Sequence, residues 1–169
     1  MSKRIELALT IRGLLALLVL CFPALGFPET KILYYEKTAD SGKVAAAVRD
    51  FARQGGSGFL PVIVPANPYY EERGLPTNAV MCGSEASPQE VRALVELLIS
   101  QGVQVQYVGQ YRNPEINSGR DTIDIRSIGD DVYFKNHWPI NPDAVDWTKL
   151  QCGFGESAIR GERRDYRNR

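Results

Sequence analysis

Histidine occurs once in the 169 residues, at His137, and cysteine three times. A structural zinc site takes four ligands, mostly Cys and His, so this chain lacks the donors for one unless carboxylates fill in. No metal is expected. The Gly-x-Ser-x-Gly elbow, the phosphate-binding loop and the His-Glu-x-x-His motif are all missing, and no cofactor is expected either. Net charge is missing too: 20 Lys and Arg face 20 Asp and Glu, which provides no electrostatic footprint for nucleic acid. The chain also lacks a long apolar run. Gly13 to Phe22 is the main one, and Pro23 stops it well short of the roughly 20 residues a membrane-spanning helix needs.

What that run does have is the flanks of an export signal. Lys3, Arg4 and Arg12 precede or open it, and Ala24-Leu25-Gly26 puts small residues at a cleavage site before Phe27. Residues 1–26 therefore read as a signal peptide, with the mature chain periplasmic or secreted and no transmembrane segment retained. Cys21 follows the bulky Leu20, where a lipoprotein site would need a small residue. Cleavage removes three basic residues and one acid (Glu6), leaving 17 basic against 19 acidic side chains and a formal charge of −2. It also leaves only Cys82 and Cys152, an even pair that an oxidising compartment would bridge.

The rest of the chain is organised by two segments that read alike at an offset of 47 positions. Lys31–Tyr35 is a β-rich run followed by a helical pattern with Val44, Ala47, Val48 and Phe51 on one stripe. Asn78–Cys82 is followed by Val91, Leu94, Val95 and Leu98 at the same steps. Ser87, Pro88 and Glu90 read as a capping box with proline at the first helical position, and Gly102 as its stop. Gly55 ends the first helix. Further strands are expected at 59–64, where Pro61 demands an edge, at 103–107 and at 122–126.

The expected fold is α+β: a duplicated βαβ closing as a ferredoxin-like antiparallel sheet, with two helices on one face and an extra strand returning as a hairpin beside the fourth. The duplicated domain spans 27–128, an irregular arm with Trp138 and Trp147 spans 129–155, and a basic, disordered tail spans 156–169. The sheet face away from the helices is expected to be wet, displaying Gln104, Gln106, Thr122, Asp124 and Arg126.

Strand, turn, Ala-rich amphipathic helix and strand, then Thr77-Asn78-Ala79-Val80 leading to Ser87-Pro88-Gln89-Glu90-Val91, resembles the C-terminal module of LytR-type cell-envelope proteins. It is also similar in outline to sporulation-related repeat domains that bind peptidoglycan. The resemblance covers about residues 31–126. It implies a non-catalytic envelope module, with cell-wall glycan or an envelope protein as partner, and transfers no binding residue.

The candidate site is the long loop Asn67-Pro68-Tyr69-Tyr70-Glu71-Glu72-Arg73-Gly74. Loops of this length between strands tend to carry function, and Tyr69, Tyr70 and Arg73 are groups that stack on sugars or grip peptides. The same tyrosines can instead fold back over the core. Tyr107, Tyr111 and Arg112 join the candidates if they reach the open sheet face. The alternative is a small envelope enzyme with Cys82 as nucleophile and His137 as base, which requires a free thiol at position 82.

Overall fold

A computed structural model describes residues 29–55, 58–67, 74–110, 119–152 and 158–164. The signal segment 1–26 lies outside them. Among the described residues no helix is long and apolar enough to cross a membrane.

The protein is α+β, with one six-stranded mixed sheet and three α-helices among the described residues. In chain order these are β1 (Thr30–Tyr35), α1 (Lys43–Gln54), β2 (Phe59–Val64), β3 (Ala79–Cys82), α2 (Pro88–Ser100), β4 (Tyr107–Gln110), β5 (Thr122–Arg126), α3 (Asp131–Asn136) and β6 (Ile159–Arg160). Both long helices form where the apolar stripes require them. Val44, Ala47, Val48 and Phe51 of α1 and Val91, Leu94, Val95 and Leu98 of α2 are all buried, and the two helices contact each other on one side of the sheet. Facing them are Ile32, Tyr34, Val80, Val108, Ile123 and Ile125, at most 1% exposed. Burying such side chains stabilises by roughly 1.5–3 kcal/mol each.

The antiparallel, ferredoxin-like closure is not what forms. The strand order is β2-β1-β5-β3-β4-β6. β1 pairs in parallel with β2 and β5, and β3 in parallel with β4; only β3–β5 and β4–β6 are antiparallel. Each βαβ unit thus closes on its own neighbour instead of interleaving with the other. β5 does not return as a hairpin beside β4; it enters the centre, between β1 and β3. The reason lies in its composition: Thr122, Ile123, Asp124 and Ile125 are all buried, and a strand covered on both faces belongs in the middle of a sheet. β2 does take an edge, so Pro61, opposite Ile32, leaves no ladder partner wanting on the outer side.

Other details also move. Residues 103–106 lead into β4 instead of forming it. On the face expected to be wet, Gln106 is fully buried, with Thr122 at 7% and Asp124 at 1% exposure; Gln104 and Arg126 stay exposed. Asp124 pairs with Arg126. Ser87 flanks α2 in extended conformation, but its hydroxyl donates to Gln89 Oε1 at 2.8 Å and caps no backbone N–H. Gly83 fits between strand ends because it has no side chain: a Cβ there would lie 2.1 Å from Gly119 O. That approach allows Gly83 N to donate to Thr122 O at 2.8 Å.

The C-terminal arm packs onto the same core. Ile140, Leu150 and Cys152 are buried, and Trp147 is partly buried against the core, its indole N–H donating to Pro142 O at 3.0 Å. Cys152 is bonded to Cys82 of β3, across 70 positions of sequence. Residues 158–164, expected in a solvated tail, supply β6, whose Ile159 is only 9% exposed and closes the sheet against β4.

Candidate functional site

The end of the sheet formed by the carboxyl end of β1 and the amino ends of β3 and β4 carries a line of buried polar side chains. Asp40, in the turn after β1, is 7% exposed. Its Oδ2 accepts the hydroxyls of Tyr34 and Thr77, each at 2.6 Å, and its Oδ1 accepts Thr77 N at 2.7 Å. Three donors on one carboxylate compensate its burial. Burial, then the hydrogen bond to Asp40 and its charge, push the Tyr34 phenol well above its ordinary range. Asp40 therefore ties the β1–α1 connection to β3. It does not cap α1: the residue before that helix is Gly42, in the left-handed region at φ 75°.

Asn78, next to Thr77, continues the line. Its Nδ2 donates to Gln106 Oε1 at 3.2 Å and Ile128 O at 3.1 Å, and its Oδ1 accepts Ile128 N at 2.8 Å. Gln106 Nε2 in turn donates to Phe134 O at 2.8 Å and His137 O at 3.0 Å. Asn78 and Gln106 are both fully buried. The line thus runs from β1 through β3 and β4 to α3. It fixes the backbones of three surface connections: 36–42, 127–129 and 134–138. Satisfied buried networks of this kind specify one geometry.

A cleft of about 310 Å³ opens above one end of this line, lined by Lys37, Thr38, Ala39, Gly74 and Leu75. Ser127 holds its wall by donating to Leu75 O at 3.1 Å and Pro76 O at 2.7 Å. Gly74 and Leu75 directly follow the loop bearing Tyr69, Tyr70 and Arg73. Those three residues, like Tyr111 and Arg112, lie outside the described residues. Tyr107 is described: it begins β4, half-buried, with the Arg160 guanidinium 5.7 Å from its ring centroid.

Around Tyr107 the other end of the line carries a second surface. Tyr133 stacks on His137 with ring centroids 4.1 Å apart. Burial pushes the Tyr133 phenol up, partly offset by the Arg160 charge. Trp138 is 53% exposed beneath the Arg164 guanidinium, 4.1 Å from its centroid. A further cleft of about 350 Å³ lies between α2 and the arm, lined by Pro88, Gln89, Arg92, Trp147, Thr148 and Leu150.

The cysteine–histidine pair is not assembled as a nucleophile and base. Cys82 is bonded to Cys152, so it carries no thiolate. His137 places Nδ1 2.9 Å from Tyr133 O. Two acids have local partners: Asp121 faces Lys31 at 3.4 Å, and Asp130 accepts Tyr133 N at 2.8 Å to cap α3.

Sequence reasoning missed Asp40, Thr77 and Asn78 as buried polar residues and put Gln106 on a wet face. One signal pointed to them: Thr77 and Asn78 directly precede an apolar strand, where polar side chains need partners once buried. Comparison with protein-family models, curated proteins and solved structures finds no match.

Proposed function

We propose that the mature chain is an exported, non-catalytic binding or assembly module of the bacterial cell envelope, contacting cell-wall glycan or another envelope protein. The observation that carries this reading is the buried Asp40–Thr77–Asn78–Gln106 line, which holds the connections around a cleft in one arrangement. Polar groups buried in that number cost desolvation, and their return is a preorganised surface. The cleft's wall includes Gly74 and Leu75, which directly follow Tyr69, Tyr70 and Arg73 in the sequence. The bridge between Cys82 and Cys152 is in keeping with an oxidising compartment and takes the nucleophile away from the enzymatic alternative. The likeness to LytR-type and sporulation-related modules adds an analogy of pattern only.

The test is retention of the purified mature chain on cell-wall sacculi, with soluble envelope proteins as comparison. Tyr69→Ala with Tyr70→Ala should abolish retention while melting stays unchanged. Retention that persists alongside a large drop in melting temperature would make the loop structural and remove it from the site. Amino-terminal sequencing of exported protein should begin at Phe27.

A further inference from the structure

Beyond that reading, we propose that the surface carrying Tyr107, Trp138, Arg160 and Arg164 is a docking face for an acidic segment of a partner protein. Two arginines here meet rings and, among the described residues, no carboxylate. Arg164 lies over Trp138 and Arg160 over Tyr107. Among the described residues no ion pair joins Arg160, Arg163 or Arg164 to an acid, whereas Lys31, Arg49, Arg53, Arg92, Arg126 and Lys149 each have one. Apolar surface is left open here as well: Trp138 is 53% exposed, one of the three large hydrophobic side chains that are exposed among the described residues.

A guanidinium stacked on a ring keeps its full charge and the edge formed by its two terminal amino groups, which fits a carboxylate in bidentate fashion; at Arg164 it is this edge that serves, because its Nε is buried. The ring holds it in place, so less side-chain entropy is lost when an anion arrives. Exposed tryptophan with arginine is also the pairing in which interface binding energy concentrates. The sign of the charge left without an ion pair among the described residues selects an acidic partner. Of the nearby acids, Asp130 is committed to capping α3, and Glu162 is exposed.

The rigidity of the surface favours a protein segment over a fluid lipid face. Gly161 N donates to Gln106 O at 2.8 Å, Trp138 N to Glu162 O at 2.8 Å and Arg164 N to Asn136 O at 2.7 Å. These bonds hold Arg160 and Arg164 at fixed places along one extended stretch, about 13 Å apart at the usual rise per residue. Such spacing suits discrete carboxylates.

Trp138 fluorescence in a Trp147→Phe background reads the interaction, and calorimetry on the unmodified chain reads it without that substitution. The probes are a synthetic peptide alternating Glu and Leu, the same peptide with Gln for Glu, polygalacturonate, and phosphatidylglycerol vesicles. The Glu peptide should shift Trp138 emission and the Gln peptide should not. Arg164→Gln, or Arg160→Gln should the first variant fail to fold, should weaken binding by about tenfold or more. Arg53→Gln, on exposed α1 surface, should leave it unchanged. Equal binding of the Gln peptide, unchanged affinity in the arginine variants, or tighter binding of polygalacturonate or vesicles would overturn the proposal. Retention on sacculi is read separately, so either reading can fail alone.

Discussion

The Tyr34 phenol donates to Asp40 Oδ2 at 2.6 Å, joining the carboxyl end of β1 to the turn that follows it, and Asp40 joins both to Thr77, two residues before β3. A strand that is 1% exposed at this tyrosine thereby gains a fixed connection to a strand two places away in the sheet.

The first expected outcome is an alkaline limit to stability set in part by Tyr34. Its pKa is raised in the folded state, by burial first and by Asp40 second. The sign follows from linkage: its contribution is complete below the unfolded value of about 10 and is lost as pH rises above it. Denaturant titrations from about pH 8 to about pH 11 should show stability falling at the upper end. Tyr34→Phe should flatten that fall while losing about 1 kcal/mol at neutral pH for the missing hydrogen bond. An unchanged alkaline slope would mean that Tyr34 is not responsible.

Asp40→Ala should destabilise more severely. It strands two hydroxyls and the Thr77 N–H in a buried site, at about 1–3 kcal/mol for each unsatisfied group and roughly 3–5 kcal/mol together after relaxation. Asp40→Asn should cost less, because the hydroxyls of Tyr34 and Thr77 can turn to accept from the amide. Equal losses in the two variants, measured by denaturant melting, would contradict this account.

Gln106→Leu should cost roughly 2–4 kcal/mol despite its similar volume, since the carbonyls of Phe134 and His137 and one N–H of Asn78 lose their partner. Gln106 carries no titratable group, so the loss should be the same from about pH 6 to about pH 9. Hydrogen exchange should show α3 opening before the sheet does.

Reduction of the Cys82–Cys152 bond should lower stability by about 4 kcal/mol, the chain-entropy value for a closed loop of 70 positions. Cys82→Ala with Cys152→Ala should do the same, and Trp147 emission should shift red as the arm loosens from α2. Alkylation without reductant should label neither cysteine; two labelled thiols would show the bridge absent in solution.

The helix stripes were legible in the sequence because a 3.6-residue apolar period leaves a helix one way to bury itself. Val44 through Phe51 and Val91 through Leu98 are local patterns, and the core side of both helices follows from them. Pro61 determined an edge for β2 through its missing N–H, whatever the rest of the sheet did. The even pair of cysteines, once Cys21 is set aside, limited the bridge to one pairing.

Strand order was decided only in three dimensions. Thr122–Arg126 alternates like a half-wet strand, and nothing within five residues records that β1 and β3 leave a gap for it. Filling that gap buries Thr122 and Asp124 together with the isoleucines, and a strand's two-residue period cannot tell a face covered by tertiary contacts from one left in water. Asp40, Thr77, Asn78 and Gln106 pose the same problem. Each is polar and reads as surface by itself, and only partners 28 to 37 positions away, such as Gln106 for Asn78 and Thr77 for Asp40, turn them into the buried line that shapes this end of the molecule. Hydrogen bonds between distant residues leave no periodic trace, so the local chemistry of the sequence determined which segments fold, and tertiary pairing decided which polar groups those segments bury.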